Sequence, residues 1–404
     1  MLNRRDLLRL GAVTWLAAGL PRARAEPRRG PRFIVTIFLR GGIDAVYTLD
    51  PKTRREVDAD VDVPYGANEI VDGAIPLGPH FAGLSSWTRK MAIVRGIGVH
   101  VANHEGGAFQ FQRMRTGVMP NMPSLGEIVG QRREQPVASV VLGDLSSFDY
   151  SAARVLAPTG SGGKTSLQML DELDDESLDL LARTYQKHLK AFPSSGLGER
   201  QARTREHLEQ VAGLLTATSR IPRFKPVDWG GMRDTSADLQ RTLWLLENDL
   251  TRSVSVKIQF DWDSHFRNGA KQTKANADFV PVFARFLDEL EKRKNAHGTL
   301  AEQTLVIAGS ELGRFPVING NLGKDHFPET QLMFFGAGIK AGSWGRTASR
   351  MQGRKINLAT GSVDDPAGVQ LDLDDVGATV LAMTGMNPAI YGYRGRRLSF
   401  LEAA

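Results

Sequence analysis

Four short stretches of this chain bring together residue types that can hold a cation or an anion. In Phe260-Asp-Trp-Asp-Ser-His265, Asp263 and His265 are two apart. From an extended segment both point the same way, as two ligands of one metal ion could. Asp261 and His265 would instead meet across one helical turn, and the spacing allows either. Aspartate and histidine suit zinc, manganese or iron. A second stretch runs Ser310-Glu311-Leu-Gly313-Arg314, then Asn319-Gly-Asn-Leu-Gly323-Lys-Asp325-His326. A glycine-rich excursion between Glu311 and Asp325-His326 would return three ligand-type side chains to one spot, although Glu311 and Arg314 could also form a simple loop salt bridge. Asp44 stands in Leu39-Arg-Gly-Gly-Ile-Asp44, where it either projects as a free carboxylate or caps its own turn. In Val101-Ala-Asn-His104-Glu105-Gly-Gly107, a loop leads into a helical pattern, so backbone N–H groups there form an anion site. His104 could act as ligand, acid/base, nucleophile or helix cap.

The elements that must position these residues alternate. Apolar runs at 33–39, 91–94, 138–142, 303–308 and 331–335 read as buried strands of a parallel sheet. Residues 276–294 carry Phe279, Val282, Phe283, Phe286, Leu287 and Leu290 on one helical stripe, and residues 374–383 form another helix with Asp374 and Asp375 at its positive end. This alternation predicts an α/β fold in three layers, a mainly parallel central sheet flanked by helices. In such sheets reactive groups gather at the carboxyl ends of the strands. Residues 166–253 differ, with amphipathic stretches at 177–189 and 201–215 and few strand signals, and read as a helical insertion or cap. The stretch Pro158-Thr-Gly-Ser-Gly-Gly163-Lys164-Thr165 ends like a phosphate-binding loop but lacks its first glycine and a leading strand, and reads as an ordinary loop.

Residues 1–25 read as a removable leader: Arg4 and Arg5, an apolar stretch from Leu10 to Leu20, then Ala23-Arg24-Ala25. The paired arginines followed by Leu7 and Leu8 fit a twin-arginine address, and the apolar stretch falls short of the about 20 residues a span needs. The expected location is therefore periplasmic or extracellular, with the twin-arginine translocation machinery as a partner and no stable membrane span after cleavage. The formal charge is +6, but the leader holds five arginines and one aspartate, so the rest of the chain is close to +2 and gives no nucleic-acid footprint. The absence of cysteine excludes thiolate metal sites and cysteine nucleophiles.

Taken together, the leader, Gly41-Gly42-Ile-Asp44, Asp-Trp-Asp-Ser-His265, Ser310-Glu-Leu-Gly-Arg314 and Gly323-Lys-Asp-His326 resemble the exported domain-of-unknown-function family 1501. That family looks like a branch of the alkaline phosphatase and sulfatase superfamily. Leu373 to Leu381 resembles the superfamily's closing helix, and Arg115-Thr116-Gly117 the end of its nucleophile helix. The resemblance covers residues 31–404. It implies an alkaline-phosphatase-like domain with one or two divalent metal ions, zinc, manganese or similar, hydrolysing phosphate or sulfate esters. Asp44, Asp263, His265, Glu311 and His326 would hold metal, Asp325 would orient a ligating histidine, and His104 would lie at the reacting group. Two positions depart from the pattern. Glu311-Leu312 stands where the superfamily has Asp-His, and Gly106-Gly107 where its Ser, Thr or Cys nucleophile belongs. The alternative is a non-catalytic exported scaffold that binds an envelope glycan, lipid or protein.

Overall fold

The computed structural model describes residues 30–117, 122–131, 135–143, 155–156, 171–230, 232–258 and 262–403. The leader, Asp261 and the stretch 158–165 lie outside the described residues. Strand β1, Phe33–Leu39, is buried along its whole length, which is why its sequence is apolar on both faces. Phe33, Val35, Ile37 and Leu39 enter one core, and Ile34 and Phe38 the other. The remaining sheet strands are β2 (Met91–Gly98), β3 (Val137–Gly143), β4 (Val155–Leu156), β5 (Thr251–Ile258) and β6 (Thr304–Gly309). Two short strands, β7 (Gly313–Arg314) and β8 (His326–Phe327), pair off the sheet. Then come β9 (Glu329–Gly336), β10 (Gly342–Trp344) and β11 (Leu371–Asp372).

The central sheet has nine strands in the order β10-β2-β9-β6-β1-β5-β3-β4, with β11 beside β2. It is mixed and mostly parallel: only β9 runs against its neighbours β2 and β6. Helices cover both faces, as the sequence predicts. One face carries α5 (Arg233–Glu247) and α6 (Asn268–Lys292), which contribute Leu239, Leu243, Phe279, Phe283 and Phe286 to its core. The other carries α1 (His104–Arg113), α2 (Leu125–Gly130) and α7 (Leu373–Met383). Helices α3 (Asp175–Ala191) and α4 (Glu199–Thr218) pack on each other through Leu178, Ala182 and Leu215.

Strand β5 carries no continuous apolar run, and its first residues fall inside the segment read as helical. It opens on Thr251-Arg252 and then alternates Ser253, Ser255 and Lys257 with apolar residues, although it is a central strand. The small hydroxyls have a packing reason. A Cβ on Gly126 of α2 would lie 2.6 Å from the Ser253 oxygen and 3.0 Å from that of Ser139, so the helix lies close upon β3 and β5. Among the described residues no helix is long and apolar enough to cross a membrane.

Candidate metal centre

Register decides which loops meet. β1 pairs in parallel with β5 on one side and β6 on the other, with Leu39 opposite Ile258 and Phe38 opposite Gly309. The three chains therefore leave the sheet side by side at their carboxyl ends, delivering residues 40–44, 262–265 and 310–312 to one place. Buried Gln272 of α6 ties two of these loops together, donating to the carbonyls of Gly42 (3.0 Å) and Trp262 (2.9 Å) and accepting from the Asp44 N–H (3.1 Å). The β7–β8 pair then brings His326 back beside Arg314. α1 adds His104 in its first turn, after Asn103, whose side chain accepts from Gly106 N–H at 2.7 Å.

Three imidazoles converge there. His326 Nε2 lies 2.9 Å from His104 Nε2 and 2.9 Å from His265 Nε2. Each ring turns its other nitrogen to an acceptor: His104 Nδ1 to Glu311 Oε1 (2.7 Å), His265 Nδ1 to Asp325 Oδ1 (3.0 Å) and His326 Nδ1 to the Ala102 carbonyl (2.7 Å). Acceptors on that side place the hydrogens on Nδ1, so the neutral rings meet lone pair to lone pair at Nε2. Such a meeting requires positive charge between the rings. Asp263 adds a carboxylate, Oδ2 at 3.4 Å from His104 Nε2 and Oδ1 at 3.4 Å from His265 Nε2. One ligand atom from each of His104, Asp263, His265 and His326 lies within 4.8 Å of the other three. This donor set of three nitrogens and one oxygen fits a divalent ion such as zinc, and its carboxylate and imidazole character also suits manganese.

The local field agrees. Burial alone would lower the His104 pKa, but hydrogen bonds and charge from Asp263 and Glu311 override it and raise it to about 9. His326 is lowered by burial, and the charge on His104 adds to that. A proton on His104 thus serves one contact of the cluster, whereas a divalent ion would serve all of them. Burial works to raise the Asp263 carboxyl, yet the His104 bond and the charge of Arg314 hold it well below the usual carboxylate range. Arg314 is fixed in turn: its Nε donates to the Gly41 carbonyl (3.0 Å), one terminal nitrogen to the Lys324 carbonyl (2.9 Å) and the other to Asp263 Oδ1 (2.8 Å).

The remaining residues singled out in the sequence sit around this cluster. Glu311 is fully buried and accepts from Gly41 N–H (2.9 Å), the Ser310 hydroxyl (2.8 Å) and His104; it holds a ligand-type ring and is outside the grouped donor atoms. Asp44 is outside them too. Its Oδ2 accepts from the ammonium of Lys324 (2.7 Å) and from Asn268 (2.8 Å), and Lys324 also reaches Asp62 at 3.2 Å. The pairing of Arg314 with Asp263, and the buried Lys324 beside Asp44, had no local signature, because the partners are far apart in the chain. Asp325 stands behind His265. The glycine at 107 has a plain cause: a Cβ there would lie 3.0 Å from Glu311 Cγ and 3.1 Å from its carbonyl oxygen. A side chain at that position would need Glu311 to shift by a few tenths of an ångström. Thr116 lies at the other end of α1, beyond the C-cap Met114.

Fold and site define an α/β protein with a candidate metal centre at the carboxyl edge of its sheet. Residues 239–401, which hold Asp263, His265, Glu311 and His326, match the model of the family described as Protein of unknown function (DUF1501). This match is to the family that the sequence resembles. No curated protein matches. Solved structures to which the chain is similar include the PsFucS1 sulfatase from Pseudoalteromonas sp., at 11% identity and a TM-score of 0.42, covering 100% of this chain and 76% of that one. The lipoteichoic acid synthase LtaP from Listeria monocytogenes is similar at 8% identity and a TM-score of 0.43, covering 93% and 77%. The alkaline phosphatase of the Antarctic bacterium TAB5 is similar at 11% and 0.41, covering 89% and 100%. The chemistry below rests on this chain's own side chains.

Proposed function

We propose that the protein is a metal-dependent hydrolase of phosphate or sulfate esters, with one divalent ion held by His104, His265, His326 and Asp263. The supporting observation is the meeting of three Nε2 atoms on rings whose Nδ1 atoms are already engaged. A zinc or manganese ion there supplies Lewis acidity toward an anionic ester. The chain's own part is orientation. Glu311, Asp325 and the Ala102 carbonyl fix the three rings, and Arg314 fixes the carboxylate. Asp263 and His265 are about one-third exposed, with side-chain exposures of 32% and 35%, so an ester can approach from solvent. Position 107 is a glycine and offers no nucleophilic side chain, so the attacking group comes from solvent. Asp44, neutralised by Lys324, is not free to hold a second ion, which is why the expected count is one.

Metal analysis of purified protein reconstituted with zinc or manganese tests this. One ion per chain is expected, with loss of the ion in His326→Ala and phosphatase or sulfatase turnover that follows the ion. Wild-type protein that stays metal-free sinks the reading. The glycine at position 107 also favours a second reading, a non-catalytic scaffold; it predicts a metal-loaded protein that binds phosphate without turning over any ester. We also propose export by the twin-arginine route to the periplasm, supported by the leader sequence.

A further inference from the structure

Strand β2 carries an arginine in its buried run. Arg95 is 8% exposed; its Nε donates to the Leu49 carbonyl (2.7 Å) and its Nη1 to the Ser343 hydroxyl (2.5 Å). Its Nη2 makes no hydrogen bond to a described residue. Lys52, also 8% exposed, brings its ammonium 3.0 Å from Asp50 Oδ1, and that oxygen lies 3.4 Å from Arg95 Nε. The other oxygen of Asp50 accepts from the Thr347 hydroxyl. One carboxylate therefore faces two buried cations, and a buried charge left unmatched costs stability.

Both cations open onto a cleft of about 320 Å³ that Arg346 and Arg354 also line. Those two arginines are paired across the 345–354 hairpin, where Arg354 N–H donates to the Arg346 carbonyl at 2.8 Å. The hairpin is pressed onto β2: a Cβ on Gly96 would lie 2.5 Å from Gly353 Cα, and one on Gly345 2.6 Å from the Arg95 carbonyl oxygen. Packed backbone thus delivers the arginines to the cleft. Arg354 reaches Asp365 at 3.1 Å, whereas the exposed Arg346 side chain has no hydrogen bond or ion pair among the described residues. Glu56, the second carboxylate of the lining, accepts from Thr53 N–H at 2.8 Å. The lining side chains carry four positive and two negative charges. Burial lowers the Arg95 pKa; Asp50 opposes that shift, and the charge of Arg346 adds to it.

We propose that this cleft is a second binding site, for a tetrahedral dianion, phosphate or sulfate, either free or as the end group of a small molecule. Arg95 Nη2, the Lys52 ammonium and the Arg346 guanidinium are its donors, and two negative charges cancel the surplus of the lining. The cleft is larger than one such ion requires, which leaves space for an organic substituent. None of its lining residues belongs to the metal centre, so this site and the metal-ester reading stand or fall separately.

The test is calorimetric titration with inorganic phosphate of the full chain after its metal has been stripped and the chelator dialysed away, and of His326→Ala. Each should bind one phosphate per chain, more weakly as salt is added. Arg346→Gln, a change at an exposed side chain, should weaken binding at least about tenfold, and Arg346→Lys should weaken it less. Arg350→Gln alters an arginine of the same hairpin that pairs with Asp60 outside the cleft, and should leave binding unchanged. Glycerol 3-phosphate bound more tightly than phosphate assigns the site to a monoester, and equal affinity assigns it to the free ion; both support the proposal. Phosphate that binds only when zinc is present belongs to the metal centre, which overturns the second site and leaves the metal reading standing. Binding that survives Arg346→Gln, or that Arg350→Gln weakens equally, also overturns it. Succinate bound as tightly as phosphate overturns the assignment to a tetrahedral dianion.

Discussion

At the scale of single residues, the centre depends on how each imidazole is held from behind. The three supports differ in burial: the side chain of Glu311 is 0% exposed and that of Asp325 is 63% exposed. A buried carboxylate that accepts from a backbone N–H, a hydroxyl and an imidazole has its orientation fully determined. Glu311→Gln keeps the volume but replaces one acceptor oxygen with a donor, which faces Gly41 N–H and His104 Nδ1–H at the Oε1 position, or the Ser310 hydroxyl and Gly41 N–H at the Oε2 position. Removing such support behind a ligating histidine lowers metal affinity by about 10–100-fold. We expect Glu311→Gln to fall at the upper end of that range and Asp325→Asn at the lower end, where water can take over. Competition for zinc with a chelator of known affinity measures both. Equal losses in the two variants would show that burial does not set the worth of these contacts.

At the scale of elements, α5 carries an independent and measurable feature. Asp238 lies in its buried face among Leu239, Gln240 and Thr242. Burial raises its carboxyl to about 7; Asp234 adds to the shift, and Arg241 opposes it. In the unfolded chain an aspartate releases its proton near about 4. Between these values the folded state binds the extra proton, so stability falls as pH rises, by roughly 1.4 kcal/mol per unit. Asp238→Asn should remove that slope and raise stability at neutral pH, with little gain near pH 4. Urea unfolding across that range checks it, and a variant that keeps the slope would place its origin elsewhere. Elements also show what a sequence can and cannot reveal. β1, β6 and β9 are legible because burial on both faces demands apolar runs. β5 is not, because polar Ser253, Ser255 and Lys257 interrupt its apolar residues, Ser253 facing the close helix approach at Gly126 and Ser255 accepting from the Thr36 hydroxyl at 2.8 Å. α6 begins at Asn268, ahead of the apolar stripe that starts at Phe279, because its first turns present polar residues such as Gln272 to the site loops. The groups around Asp263, His265, Glu311 and His326 stood out as ligand-type residues. Their division into donors that face one another and carboxylates that brace them depends on contacts across long stretches of chain.

At the scale of the whole molecule, the centre exists only when the chain is complete. Its ligands come from α1, from the loop after β5 and from β8, and they meet because β1 sits between β5 and β6. Ligands scattered in this way cannot form a preset site in an unfolded chain, so uptake of an ion there would be coupled to folding. The chain has no cysteine, so nothing in its folding waits for an oxidising compartment. A twin-arginine leader, which serves proteins that fold before export, is consistent with both facts. On this view folding and metal loading precede export, and the arginine pair governs only the crossing. Replacing both arginines (Arg4→Lys with Arg5→Lys) should therefore shift the protein from the periplasmic to the cytoplasmic fraction of a bacterial host. The retained protein should still contain one ion per chain. Periplasmic protein at the wild-type level in that variant would refute the twin-arginine route. Retained protein that is folded but metal-free would instead show that the ion is acquired only after export.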